Sequence, residues 1–262
     1  MSATPTPADL AKYVSARRAL AFVEDGMRLG LGTGSTAAWM VRALGARIRR
    51  EGLRVTGVPT STRTADLARA CGVPVVTLEE AKWLDLTIDG ADEFDPALGL
   101  IKGGGGALLH EKIVAAASDR MVVITDRSKQ VDHLGAFPLP VEVIPFGWQA
   151  TRTLIEDCLA GMDVDARQVT PRQSADGRYR TDEGNLILDL QLRRIGAPED
   201  LGRALNQIPG VVENGLFLGL CDVVVMGEAD GRVELLHRDG GTVTQERIDM
   251  ADAADSIAAL PG

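Results

Sequence analysis

Five short apolar segments, residues 27–31, 54–59, 73–78, 83–88 and 121–125, punctuate the first half of the chain, with helical stretches and glycine turns between them. Nothing else in the sequence limits the architecture so sharply. Strands apolar along most of their length belong in a parallel sheet with both faces covered, because a half-exposed strand would alternate. Helices are expected at 8–25, from the glycine turn at 32–36 through 44, from a Thr60-Ser61-Thr62 cap to 71, and at 107–118. The expected fold class is therefore α/β, a mainly parallel sheet covered by helices on both faces. Ligands of such sheets lie beyond the carboxyl ends of the strands. Three stretches fall there: GTGST at 32–36, DGADEFD at 89–95, and residues 126–129.

After residue 131 the pattern changes. Strands are expected at 141–144, 168–172 (weak), 185–192 and 211–218, and helices at 148–159 and 198–207. The order β-α-β-β-α-β is that of an inserted, smaller ferredoxin-like α+β domain. Segments 221–227 and 232–237 then read as strands that rejoin the first sheet. The expected division is a main domain of 1–134 with 212–262, and an insert of 135–211. The tail, 240–262, contains the acidic stretch IDMADAADSIAAL and is expected to dock as a helix or fray.

A net charge of −9 and only 4% aromatic residues argue against a nucleic-acid partner, which needs basic surface or stacking platforms. No apolar run approaches a membrane span, and the N-terminus has no secretory pattern. Cys71, Cys158 and Cys221 are odd in number and isolated, as reduced buried thiols of a cytoplasmic protein would be. Together with the scattered His110, His133 and His237 they offer no metal-ligand spacing. Neither metal nor cofactor is expected.

Residues 84–118 concentrate the chemistry. A strand breaks at Asp89-Gly90 into four acids, Asp89, Asp92, Glu93 and Asp95; Lys102 then precedes four glycines, and a helix carries Glu111 and Lys112. Each part has a plain account. DGADEFD makes an Asx-type turn, KGGGG a flexible loop, and Glu111 a first-turn helical acid facing the dipole. Combined, they have the parts of a proton-transfer site. Glu111 shares a helical side with Ala107, Leu108 and Ala115, a partly desolvated setting that suits a general base. Lys102 and the bare glycine backbone can stabilise an oxyanion. GLGTGST, between a strand and a helix, is either a tight turn with a Ser/Thr cap or a seat for a phosphate; it lacks the third glycine of the dinucleotide fingerprint and the lysine of the P-loop. The residues alone thus point to metal-free acid/base chemistry on a small phosphorylated molecule.

The stretches GLGTGSTA, TSTRTADLA, DLTIDGADEFD, IKGGGGALLHEKI, DRSKQVDHLGAFPLPVEVIPF, TDEGNLILD and ALNQIPGVVENGLF occur in that order between residues 30 and 217, within a likeness that extends over roughly 12–227. They resemble the A-type ribose-5-phosphate isomerases. The resemblance implies interconversion of ribose 5-phosphate and ribulose 5-phosphate through an enediolate, without metal or cofactor. It further implies Glu111 as the base between C1 and C2, Asp89 in ring opening and hydroxyl proton traffic, and Asp92 in orienting substrate. Lys102, Gly103, Gly104 and Gly105 would stabilise the enediolate oxygen. Thr33, Gly34, Ser35, Thr36 and Lys129 would hold substrate, chiefly its phosphate, with Lys12 as a helper; Gly90 and Ala91 would line the substrate site between the two acids. A homodimer or homotetramer is expected.

In this sequence Gly106 stands where that family commonly has alanine, and Leu109-His110 replaces a more usual polar-basic pair. One residue of offset turns His110 about 100° round the helix from Glu111. Two other classes compete with the isomerase. A sugar-phosphate sensor would need a DNA-binding segment, and about 25 residues before the first strand are too few for one. A coenzyme A transferase or amino-sugar-phosphate deaminase would use its glutamate as nucleophile or another base.

Overall fold

The computed structural model describes residues 6–238 and 243–247. The chain divides into two compact units, one of residues 1–90, 113–129 and 220–262, the other of residues 91–112 and 130–219. The second unit extends past the expected 135–211 insert at both ends, to 130–219, and also takes in residues 91–112: Glu93–Phe94 pairs with Leu100–Ile101, which pairs with Leu216–Phe217. Two-residue strands carry no periodicity, so this small sheet has no signature in the sequence.

The first unit is built on a seven-stranded sheet. In spatial order its strands are Val243–Arg247, Arg232–His237, Val223–Gly227, Met121–Asp126, Leu86–Gly90, Arg28–Leu31 and Thr56–Pro59. The five from Val223–Gly227 onward run parallel, and Arg232–His237 pairs antiparallel with both Val223–Gly227 and Val243–Arg247. Segments 221–227 and 232–237 do rejoin the sheet as expected. Val243–Arg247 adds a strand inside the tail that had been expected to be helical or frayed; the stretch IDMADAADSIAAL lies outside the described residues.

Alternation within the buried strands sorts their side chains into two layers. Leu29 and Leu31, Leu86 and Ile88, Val122 and Ile124, and Val223 and Val225 join one core. Val14 of helix Pro7–Ala19 and Met40, Val41 and Leu44 of helix Ser35–Glu51 complete it. Gly30 and Thr87 face the other way: a Cβ on Gly30 would lie 2.0 Å from Thr87 Oγ1 and 2.6 Å from Val114 Cγ1. Val114 packs there with Val58, Ala81 and Leu84, so both faces are covered. The expected third strand, 73–78, makes only a single bridge, Val75 to Gly57, before helix Leu78–Ala81. Val73 is buried in the core all the same; its apolar character fills space rather than extending the ladder. Cys71 and Cys221 are buried and Cys158 half-buried, none of them in a disulfide.

The main sheet of the second unit has the order Val211–Asn214, Leu139–Val143, Leu186–Gln191, Gln168–Pro171, antiparallel throughout. Helices Trp148–Ala160 and Pro198–Leu205 contribute Ile155, Leu159, Leu201 and Leu205 to its core. With strands numbered along the unit this order is 4-1-3-2, the ferredoxin-like arrangement that the element order predicted. No helix among the described residues is long and apolar enough to cross a membrane.

Candidate active site

In the first unit, Asp89 stands at the carboxyl end of strand Leu86–Gly90 and is fully buried. Its Oδ1 accepts from the backbone N–H groups of Thr33 at 3.0 Å and Gly90 at 2.7 Å. That grip explains Gly32. A Cβ there would lie 2.0 Å from Asp89 Oδ1, so any side chain would displace the carboxylate. The Thr33 hydroxyl meets Thr60 and Ser61 at 2.8 Å and Thr64 at 3.1 Å, a hydroxyl cluster in which Thr33 is expected to meet substrate and Thr60 and Ser61 only to cap a helix. Thr64 Oγ1 in turn donates to Gly32 O at 3.1 Å, bracing the turn from the neighbouring helix.

Gly34 is the N-cap of helix Ser35–Glu51, with φ of +111°, and no side chain caps this helix end. The first-turn amides at Ser35 and Thr36 and the positive end of the helix dipole therefore face outward, an arrangement suited to an anion. Gly34 and Ser35 are exposed and Thr36 half-buried. Lys129 ends the short 3₁₀ turn Arg127–Lys129 after strand Met121–Asp126, and Lys12 lies half-buried on the first helix.

In the second unit, Lys102 and Glu111 form an ion pair, Nζ to Oε2 3.3 Å, with side chains only 2% and 4% exposed. Lys102 follows strand Leu100–Ile101, and its N–H donates to Gly215 O at 2.9 Å. Glu111 sits in the first turn of helix Leu108–Ala116. Ion pairs this dry are seldom kept for stability alone, since desolvation cancels most of the attraction. They do provide a proton acceptor beside a fixed positive charge in a medium of low dielectric.

The glycine loop is held from its carbonyl side. Arg172 Nη1 donates to Gly103 O at 2.8 Å and to Gly104 O at 3.1 Å, and Tyr179 donates its hydroxyl to Gly105 O at 3.2 Å. Arg172 is itself oriented by an ion pair with Asp189. Neither residue announces itself in the sequence, because a lone arginine and tyrosine beside a weak strand carry no pattern. Position 106 suits glycine in this chain. Its φ is +83°, and a Cβ would lie 2.2 Å from the Tyr179 hydroxyl.

The acidic cluster separates by role. Asp92 Oδ2 accepts from Gly104 N–H at 2.7 Å, so that amide is engaged within the protein. Gly106 N–H donates to Gly103 O, which leaves Gly103 and Gly105 as the loop's candidate oxyanion donors. Gly90 and Ala91 are half-buried between the two acids. Glu93 and Asp95 are structural. Glu93, 4% exposed, accepts from the N–H groups of Gly135 and Phe137. Asp95 accepts from Ala97 and Gly99 in the Asx-type turn that the plain account of this stretch describes.

His110 pairs with Glu183, Nε2 to Oε1 2.8 Å. Both line a cleft just large enough for a water molecule, beside buried Glu142. Burial pushes the Glu142 carboxyl up, outweighing the hydrogen bonds from Asn185 and Thr181 that pull it down. The folded chain thus keeps this proton at pH values where the unfolded chain has lost it. Stability contributed here is present at low pH and declines as pH rises above the ordinary carboxylate range. Glu142→Gln is expected to flatten that part of the dependence of the urea midpoint on pH; an unchanged slope would assign it to another group.

The family described as Ribose 5-phosphate isomerase A (phosphoriboisomerase A) matches residues 56–231. A ribose-5-phosphate isomerase A from Jannaschia sp. is 66% identical over 252 residues, 96% of each chain. One from Cereibacter sphaeroides is 66% identical over 260 residues, 99% of each. Among solved structures, ribose 5-phosphate isomerase A from Methanocaldococcus jannaschii superposes with a TM-score of 0.80 at 42% identity, covering 88% of this chain and 100% of the other. A D-ribose-5-phosphate isomerase in complex with phospho-erythronic acid gives 0.80 at 37% identity, covering 93% and 100%. The chain belongs to the ribose 5-phosphate isomerase A family, which interconverts ribose 5-phosphate and ribulose 5-phosphate.

Proposed function

We propose that this chain interconverts ribose 5-phosphate and ribulose 5-phosphate by proton transfer through an enediolate, with Glu111 as the base. The observation that carries the assignment is the buried Lys102–Glu111 pair at the mouth of a glycine loop. In the forward direction the Glu111 carboxylate removes the proton from C2 of the open-chain aldose, and the electron pair moves into the C1 carbonyl oxygen. The Lys102 ammonium, with the Gly103 and Gly105 amides, stabilises the charge on that oxygen. The hydroxyl proton passes from O2 to O1, and Glu111 returns its proton to C1 as C2 becomes the carbonyl. Asp89 serves ring opening and the hydroxyl protons, and Asp92 orients the substrate. Thr33, Gly34, Ser35, Thr36 and Lys129 take the phosphate, with Lys12 assisting, and Gly90 and Ala91 line the substrate site. A related structure that holds a phosphorylated sugar acid supports a ligand of this class.

The test is an assay for ribulose 5-phosphate formed from ribose 5-phosphate, run with and without a chelator. Turnover unaffected by the chelator is expected. Activity lost to the chelator and restored by a divalent ion would overturn the metal-free route. Ammonia released from an amino sugar phosphate, or a thioester trapped on Glu111, would assign the site to a related enzyme. We further place the enzyme in the cytoplasm as a homodimer or homotetramer, which light scattering on the purified chain will read.

A further inference from the structure

Gly103, Gly104 and Gly105 each offer their carbonyl to a side chain, and the donors differ in charge. Arg172 Nη1 serves Gly103 O at 2.8 Å and Gly104 O at 3.1 Å, whereas the neutral Tyr179 hydroxyl serves Gly105 O at 3.2 Å. The guanidinium is firmly aimed. Asp189 takes its Nε at 3.0 Å and its Nη2, which turns Nη1 to the carbonyls, and the arginine side chain is only 14% exposed. A carbonyl and the N–H that follows it belong to one conjugated, planar peptide group. A cation on the oxygen therefore draws electron density through the C–N bond and makes that N–H a stronger donor. Gly103 O shares its peptide group with Gly104 N–H, which donates to Asp92 Oδ2 at 2.7 Å. Gly104 O shares its group with Gly105 N–H, one of the loop's candidate oxyanion donors, on an exposed residue. Gly105 O shares its group with Gly106 N–H, which turns back to Gly103 O at 2.9 Å. The charged donor thus sits on the two peptide groups whose N–H ends serve an anion, and the neutral donor on the one that closes the loop.

We propose that Arg172 is a positioning residue for the oxyanion: it fixes the Gly104–Gly105 peptide group and, by polarising it, strengthens the Gly105 N–H as a donor to the enediolate oxygen. Charge on that oxygen develops only as the proton leaves C2. The gain therefore falls on the transition state more than on the bound aldose. This rests on the isomerase function proposed above.

The decisive experiment compares Arg172→Met with Tyr179→Phe, which loosens the same loop without removing a charge. Both are assayed for kcat and KM, and for inhibition by a four-carbon phosphorylated hydroxamate whose anionic oxygen copies that of the enediolate. In Arg172→Met, kcat should fall about tenfold, a fraction of the roughly 10²- to 10³-fold that a whole oxyanion donor is worth. The hydroxamate should bind more weakly by about the same factor, with KM within about twofold. The loss of kcat should exceed that of Tyr179→Phe by about threefold or more. Circular dichroism verifies folding. Should the single variant fail to fold, Arg172→Met/Asp189→Asn, which also removes the stranded carboxylate, takes its place. Equal losses in Arg172→Met and Tyr179→Phe would reduce Arg172 to a brace of the loop and leave the isomerase assignment standing. So would hydroxamate affinity that stays at the parent value while kcat falls. Absence of isomerase activity in the unsubstituted chain would instead remove the function on which the inference rests.

Discussion

Glu111→Gln is expected to leave the chain folded and to cut kcat by roughly 10²- to 10⁴-fold, the range typical for loss of a general base. The amide keeps the shape of the side chain and still offers an oxygen to Lys102, 3.3 Å away. KM should therefore change little, because the substrate loses no binding partner in its ground state. The same isomerase assay supplies the number, and circular dichroism verifies the fold. Turnover within a few-fold of the parent would take Glu111 out of its role and reopen the question of which carboxylate acts. Asp89 is the next candidate, being fully buried at a strand end with its Oδ1 fixed by two backbone amides.

Lys102→Met has two separable consequences. The first is kinetic. Removing the charge that faces the developing oxyanion should lower kcat by about 10²- to 10³-fold. The second is thermodynamic. Glu111 is 3% exposed, and without the ammonium its carboxylate is a buried charge that has lost its counter-ion. Breaking one side of a buried pair costs about 3–5 kcal/mol, a large part of a domain's net stability. Urea titration should register that loss. The double variant Lys102→Met/Glu111→Gln removes the stranded charge as well, so most of the stability should return while the activity does not. If the single and double variants are equally destabilised, the pair contributes through packing rather than through charge.

The two outcomes separate what the Lys102–Glu111 pair does for the fold from what it does for the reaction. A surface pair such as Arg69–Asp66, both side chains more than 60% exposed, would give neither effect, since solvent screens it. The contrast is in the burial and not in the chemistry of the groups, which sequence alone cannot supply.

Much of the fold was legible because it follows from period and composition. Apolar runs without alternation called for a parallel sheet, and the β-α-β-β-α-β order called for the ferredoxin-like unit. Both appear: five neighbouring strands of the main sheet run parallel, and the four-stranded sheet of the second unit has the ferredoxin-like order. Errors fell where local pattern is ambiguous. Residues 73–78 are apolar because Val73 is buried, not because they form a ladder. The sheet of Glu93–Phe94, Leu100–Ile101 and Leu216–Phe217 joins segments more than 110 residues apart through strands too short to show a period.

The sequence by itself determined the inventory: which carboxylates, which lysine and which glycines sit just beyond strand ends, and the reaction class that such a set can perform. Spacing and residue type are local properties, and they survive in the unfolded chain. Tertiary structure alone decided the assignments within that inventory. Asp92 is bound to the glycine loop, whereas its neighbours Glu93 and Asp95 hold a loop and a turn. Arg172 and Tyr179 brace the glycine carbonyls. Burial and partnership arise only when distant segments pack, and these set the dielectric and the distances on which an acid, a base or a bystander depends.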